Sequence, residues 1–529
     1  MFGKYVEDAL NELRKNKDNC QIPDAEKQSC YKMISALDGL WKEVHYKVCA
    51  LFLREMDNCN PNQVVWWFSV LLAVCRDKNL FKSFIIYVKT NQEKFALDTR
   101  FFLFYQFKSM AFLYSELDAA DVKRELWEFY YNVIDGYKKT VREKLEYIPA
   151  EKRNKNLIVV ITEQFLEEQH GPTKTALDRC NAIMEKLGKE VLLINTAEIL
   201  SDVGAIDFLN GRRGSYFDKL MDEQYITWKG VDVPYYQCEN NMPNIDELER
   251  LITIIREYAP SRVVSIGGSG VLCNLVNCMI PVLTVGLCPS DLEYTTNAYQ
   301  TLGRMINERD VKLLEALNLR RSHVIESIFT SSLKPQTEFV ARKDLGISED
   351  AFVIAVVGAR LDIEVTDEFL NMLEICVREN ILVTFWGVFD NYNSVIEKYP
   401  KLHEHSRFMG FCMDILSRME NVDLYVNPKR KGGGTSCVEA MYKGVPVVTV
   451  DYGDVGVNVG RDFCVKDYED MSQMIDRYRS DKAFYKKMSE KAVERTTVLL
   501  DTESEFVRIL GEVDKREANE YGVNFDGKL

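Results

Sequence analysis

Residues 429–436 read Lys-Arg-Lys-Gly-Gly-Gly-Thr-Ser, and Glu439 follows three positions later. Three cations, three glycines and two hydroxyls in eight residues are the ingredients of an anion site. Glycines let the backbone approach a ligand closely. Thr435 and Ser436 offer hydroxyls, and Lys431 lies next to the first glycine. If a helix starts at the end of this stretch, its first N–H groups lack internal partners and its dipole adds partial positive charge. A diphosphate fits such a place; a tight strand-to-helix turn with a basic rim is the alternative. The spacing is not that of a Walker A loop, because no Gly-Lys-Ser/Thr follows, and Gly432, Gly433, Gly434, Thr435, Ser436 do not match the dinucleotide fingerprint.

The flanking residues must position this loop. Residues 422–426 form a short apolar run stopped at Asn427-Pro428, and residues 445–450 form a second one rich in valine. Between them, 437–443 are good helix formers closed by Gly444. The pattern predicts strand, glycine loop, helix, strand: a parallel crossover. Alternating strand and helix signals continue on both sides. Residues 157–165 predict a strand, 176–187 a helix ended by Gly188, and 191–195 another strand. Residues 245–258 predict a helix and 262–266 a strand, with Gly267-Gly268-Ser269-Gly270 leading into an apolar helix over 271–279. Residues 281–285, 351–358 and 381–386 predict further strands, and 365–379 a helix. The pattern weakens over 201–244, and 457–461 read as loop. Helices are expected over 467–478 and 483–499, and on to Leu510. The fold class is α/β with two doubly wound units.

The segment GGGTSCVEAMYKGVPVVT resembles the donor-sugar site of GT-B glycosyltransferases, where a Gly/Ser-rich loop precedes Glu-Ala, a short helix and Gly-Val-Pro-Val-Val. The resemblance spans about 154–510. It implies two Rossmann-like domains facing a cleft, with the loop amides on the diphosphate of a nucleotide-sugar, UDP-sugar favoured, and Glu439 on the ribose hydroxyls. It also implies that Arg360, just after the first strand of the second unit, meets the donor phosphates. Gly267, Gly268 and Ser269 are candidates for the acceptor side of the cleft, or serve only to let helix and strand pack closely. Many retaining members place a second glutamate ahead of the glycine loop, with seven residues between the two. Lys431 occupies that position here, which favours inversion.

An inverting reaction needs a base on the opposite wall. His170 is the titratable group of the first-strand loop with a useful neutral-pH pKa, and several inverting GT-B enzymes use a histidine at this place. Glu167 and Glu168 are the next candidates, and a plain surface histidine is the alternative.

Residues 1–150 hold few glycines and long runs of helix formers. They predict an all-helical domain of about six helices. Asn60-Pro61 is a helix start, and Asp98 is a cap for a helix over 99–117. Trp66, Trp67, Phe101 and Phe102 read as core, with a partner-binding groove as the sharper alternative. The domain plan is then 1–150 helical, 151–335 the acceptor-side unit, and 336–529 the donor unit, whose last helix crosses back. Helical domains ahead of GT-B are also found in protein-modifying bacterial glycosyltransferases, which makes a protein or glycan the expected acceptor and the helical domain a candidate partner-binding unit.

Composition narrows the class further. The chain has 529 residues, formal charge −14 and 46% apolar residues. The charge argues against nucleic-acid binding. No apolar run reaches membrane-span length and no signal core opens the chain, so a cytoplasmic protein is expected. The 14 cysteines are scattered without a C-x-x-C pair, and the five histidines form no metal pattern; neither a metal nor a cofactor is expected. A catalytically silent GT-B-like subunit or chaperone, and a nucleotide-sugar epimerase, are the competing functions.

Overall fold

The computed structural model describes residues 2–18, 24–38, 42–142, 145–167, 170–199, 206, 209 and 216–521. Seven α-helices open the chain: α1 (Phe2–Arg14), α2 (Asp24–Asp38), α3 (Lys42–Glu55), α4 (Pro61–Val74), α5 (Lys78–Thr90), α6 (Leu97–Leu113) and α7 (Ala120–Thr140). Asn60 starts α4 as expected. Its side chain accepts the Gln63 N–H while the Gln63 side chain accepts the Asn60 N–H, a capping box with Pro61 in the first turn. Asp98 does not cap α6: Ala96 holds that position, and Asp98 lies inside the first turn, accepting the Thr99 N–H.

The helices divide between two cores. Leu10, Ile34, Phe52, Trp66 and Trp67 pack in a small cluster among α1 to α4. Phe84, Phe101, Phe102, Phe107, Trp127 and Tyr130 instead share one continuous core with Val159 and Val263 of the following sheet and with Leu272 of a helix packed on it. The four aromatics singled out from the sequence are therefore all core residues, at most 2% exposed.

An eight-stranded sheet follows: β1 (Asn154–Thr162), β2 (Glu190–Asn195), β3 (Tyr225–Trp228), β4 (Val231–Gln237), β5 (Pro260–Ile266), β6 (Val282–Val285), β7 (Tyr299–Leu302) and β8 (Val324–Glu326). Its order is β3-β4-β2-β1-β5-β6-β7-β8. All neighbours are parallel except β3 and β4, a hairpin in the stretch where periodicity faded. Its helices are α8 (Gly171–Leu187), α9 (Ile245–Tyr258), α10 (Val271–Val276) and α11 (Glu308–Ala316). The six-stranded second sheet is parallel throughout, in the order β11-β10-β9-β12-β13-β14, built from β9 (Phe352–Gly358), β10 (Ile381–Gly387), β11 (Ser406–Gly410), β12 (Leu424–Val426), β13 (Val447–Val450) and β14 (Cys464–Val465). Such strands are covered on both faces, which explains their near-continuous apolar runs.

The helices of this part are α12 (Leu361–Glu364), α13 (Asp367–Cys376), α14 (Tyr392–Ile396), α15 (Pro400–Glu404), α16 (Ile415–Met419), α17 (Gly434–Tyr442), α18 (Gly453–Val459), α19 (Tyr468–Ser480), α20 (Lys482–Leu499) and α21 (Thr502–Tyr521). Two expectations change here. The helix expected over 365–379 is α13, shorter at both ends: Thr366 caps its start and Val377 its end. The loop at 457–461 is in part helix α18. Finally α21 packs on α8, with Phe506, Ile509, Leu510 and Val513 in a core shared with β1, β2 and β5 of the first sheet. None of the helices searched among the described residues is long and apolar enough to cross a membrane.

Candidate active site between the two sheet domains

In the second sheet, β9 has β10 on one side and β12 on the other, so the strand order reverses between β9 and β12. Ligands of open α/β sheets bind in the crevice beyond the carboxyl ends at such a point. A cleft of about 310 Å³ lies there. Its second-domain wall carries Arg360 after β9, Gly433 to Ser436 after β12, Glu439 on α17, and the Phe411 to Met413 loop after β11. Gly171 and Lys174 of α8 face them from the first domain, with Lys334 of the connecting segment.

The glycine loop turns into α17 at Gly433, whose φ of 93° is the left-handed conformation that glycine adopts without a Cβ penalty. A Cβ on Gly432 would lie 2.6 Å from Arg360 Nη2, so the bare backbone there is what lets the guanidinium settle on the loop. Arg360 is held in place: Nε donates to Glu364 at 3.0 Å, Nη2 lies 2.7 Å from the same carboxylate, and the Phe112 ring of α6 lies 5.2 Å from the guanidinium carbon. Ser436 Oγ is occupied within the loop, 2.8 Å from Tyr425 Oη and donating to Gly433 O at 3.2 Å. Thr435 and the start of α17 line the cleft. Glu439 is half-buried in the cleft wall; burial pushes its carboxyl up to about 7, against the pull of Lys174.

The three cations that look alike in the sequence go to three places. Lys429 is exposed, its ammonium 5.5 Å from the centre of the Tyr452 ring. Arg430 is buried and structural: it donates to Asn427 (2.8 Å), Glu364 (2.6 Å) and the Val357 carbonyl (2.6 Å), tying the glycine loop to β9. Burial alone would raise the Glu364 carboxyl, but Arg430 and Arg360 hold it below the usual carboxylate range. Lys431 points out of the cleft into a buried ion cluster. Its Nζ is 2.9 Å from Asp118 and 2.8 Å from Asp291, and Lys123 Nζ is 2.5 Å from Asp291. Tyr452 Oη donates to Asp118 at 3.1 Å. The cluster joins the helical part, the first sheet and the donor-side loop.

On the first wall, His170 immediately precedes α8. Its Nδ1 is 3.2 Å from Thr173 Oγ1, which already accepts the Leu166 N–H. The near-neutral pKa expected from the sequence is not kept: burial lowers it to about 4, so the ring is neutral at pH 7 but a weaker base than a free imidazole. The cleft itself is lined by the next residue, Gly171. Glu167 is exposed, and Glu168 lies outside the described residues. Gly267, Gly268 and Ser269 are buried rather than open to the cleft. They occupy the reversal point of the first sheet, between β1 and β5, which the helical domain fills. Lys108 of α6 donates to Ser269 Oγ and lies 3.4 Å from Glu293, while Glu163 accepts the Gly270 N–H at 2.6 Å. Glu198 accepts the Val271 and Leu272 N–H groups (2.5 and 3.0 Å), and burial pushes its carboxyl up to about 8. Sequence reasoning missed Lys174, Lys334 and the exposed Phe411 and Met413 of the cleft rim. Nothing in their local pattern marks them; only the packing of distant segments brings them to the cleft. No group of three or more His, Cys, Asp or Glu among the described residues is arranged to hold a metal.

The two doubly wound domains facing a cleft, preceded by helices, are the GT-B fold of nucleotide-sugar-dependent glycosyltransferases. The model of the family Glycosyl transferases group 1 matches residues 338–495, the bulk of the second domain. Solved structures of the same architecture include a glycosyltransferase from Rickettsia africae ESF-5, 13% identical over 69% of this chain and 100% of its own, with a TM-score of 0.51. A mutant O-GlcNAc transferase from Thermobaculum terrenum matches 98% of this chain and 99% of its own at 11% identity, with a TM-score of 0.54. At such identities the likeness is one of fold. No curated protein sequence matches the chain.

Proposed function

We propose that this protein is a glycosyltransferase that moves a sugar from a nucleotide-sugar, UDP-sugar favoured, to a protein or glycan acceptor. The observation that carries the reading is the convergence at one cleft of Arg360, the start of α17 and Glu439. The chemistry follows from their types. Backbone N–H groups and a guanidinium fork match phosphate oxygens, and a carboxylate accepts from two ribose hydroxyls. The exposed rings and thioether at Phe411 and Met413 offer an apolar cover for a nucleobase. A diphosphate seated at the α17 terminus is stabilised there as it departs, by charge fixed before the reaction begins.

We assign inversion, with His170 taking the acceptor proton. Two features support this: the earlier glutamate position is Lys431, which is committed to Asp118 and Asp291, and the His170 ring is neutral at pH 7 with a nitrogen lone pair. The test is a thermal-shift screen of the full chain with UDP, GDP, ADP and TDP sugars, followed by NMR of the product formed with the stabilising donor. A ligand at one hundred times its Kd adds about 2.7 kcal/mol. No stabilisation by any nucleotide sugar refutes the donor assignment, and a retained anomeric configuration refutes the role of His170.

A further inference from the structure

Two cysteines of the helical part stand sulfur to sulfur. Cys49 lies on α3 and Cys75 closes α4, 26 positions apart in the chain, and their Sγ atoms are 3.1 Å from each other. A disulfide needs about 2.05 Å, so a shift of about 1 Å, within reach of side-chain rotation, joins them. Cys49 is half-buried and open to a small reagent, whereas Cys75 is 7% exposed. The hydrogen bond to Cys75 holds the Cys49 thiol below its ordinary pKa, against burial and the Asp77 carboxylate. Other buried thiols go the opposite way: burial pushes Cys273 and Cys376 up to about 12. Cys75 sits at the carboxyl end of α4, where the helix dipole disfavours a thiolate. The pair thus has an attacking sulfur near the surface and a second sulfur behind it.

We propose that Cys49 and Cys75 form a thiol–disulfide exchange site whose substrate class is a small disulfide such as oxidised glutathione. The Cys49 thiolate attacks one sulfur of that disulfide, giving a mixed disulfide on Cys49 and releasing one small thiolate. The Cys75 sulfur then attacks Cys49 Sγ, and the second small thiol leaves. One small disulfide is reduced to two thiols, and the protein dithiol is oxidised to one disulfide. The protons of Cys49 and Cys75 pass to the two departing thiols. The new bond ties α3 to the end of α4. There Cys75 and Asp77, the cap of α5, lead from the small core of α1 to α4 into the helices that share the core of the first sheet. Redox state therefore sets how firmly the outer helices are held.

The test is peptide mapping of the full chain, reduced, freed of reductant and incubated with oxidised glutathione at about pH 8, near the ordinary thiol pKa. Remaining thiols are alkylated under denaturing conditions before digestion without reductant. The expected product is a Cys49–Cys75 cross-link. Cys59 lies between the two in the chain, and Cys59→Ser should form the same link. Cys75→Ser should stop at glutathione on Cys49, and Cys49→Ser should leave Cys75 unmodified. In limited proteolysis, cleavage within α1 to α3 should slow roughly tenfold on oxidation and recover with reductant, because the bond closes the chain between α3 and α4 into a loop. Wild type that keeps Cys49 and Cys75 as thiols overturns the proposal, and needs no variant to do so. Loss of the link in a Cys59→Ser chain with the wild-type circular dichroism overturns the assignment of partners. Equal cleavage of the oxidised and reduced protein overturns the stapling of α3.

Discussion

Asp118 touches no part of the cleft, yet its removal should reach the donor loop. It lies between α6 and α7, with its side chain 2% exposed, and faces Lys431 at 2.9 Å and Lys123 at 3.2 Å, with Arg309 at 3.6 Å. Burial would raise its carboxyl, but Lys431 and Lys123 hold it below the usual range. In Asp118→Asn, two buried lysines are left to share Asp291, and removing one partner of a buried pair costs about 3–5 kcal/mol. Solvent cannot make good the loss, because the Lys431 side chain is only 8% exposed. Lys431 precedes Gly432, and its carbonyl accepts the Asp454 N–H at 2.7 Å, so relaxation of the lysine moves the loop proposed to hold the phosphates. Urea denaturation followed by circular dichroism should show the destabilisation, and titration with the donor nucleotide should show weakened binding. Asp121→Asn is the control. It removes a carboxylate in the same helical domain that pairs with Lys82 and Lys78 at 38% exposure, and should cost no more than about 1 kcal/mol. In the double variant Asp118→Asn/Lys431→Met, part of the loss should return, with a coupling of roughly 1–3 kcal/mol. If Asp118→Asn behaves like Asp121→Asn in both assays, the ion cluster does not support the loop and the reasoning is wrong.

Arg360→Ala should weaken diphosphates by roughly 10- to 100-fold while sparing nucleosides, because the partner proposed for its guanidinium is phosphate; equal losses in titrations of both ligand types would contradict that placement. Glu439 must be ionised to accept two hydroxyls fully, and its pKa of about 7 means that ionisation is incomplete below neutrality. Nucleoside affinity should therefore rise as pH goes from 5.5 through 7 and level off at about 8, and Glu439→Gln should bind weakly with no such slope. His170→Ala should cut turnover by roughly 10²- to 10⁴-fold with donor affinity unchanged. Because the pKa of His170 is about 4, its ring stays neutral across pH 5 to 8, and the wild-type rate should show no loss from histidine protonation near pH 6.5.

The sequence by itself determined most of the elements, among them the strand, glycine loop, helix and strand of β12, α17 and β13. Valine-rich runs bounded by turns announced β9, β12 and β13, and glycines followed by helix formers announced the start of α17, because strand burial and helix termini leave local signatures. Glu439 and Arg360 were legible for the same reason, each lying within a few residues of such a boundary. The β3–β4 hairpin at the sheet edge was not legible, since half-exposed strands carry less apolar contrast. Local sequence also could not say where three adjacent cations would point. Lys429, Arg430 and Lys431 have the same charge and neighbouring positions, but one is solvated, one is clamped by Glu364 and Asn427, and one is taken by Asp118 and Asp291. Gly267, Gly268 and Ser269 have the form of a ligand loop, yet Lys108 of α6 and the helical core close over them. Lys174 carries no local mark at all, and faces the cleft only because β1 and α8 stand opposite β9 and α17. These are decisions of tertiary structure: which charge finds a partner, and which lines the cleft, depends on segments hundreds of residues apart meeting at one place.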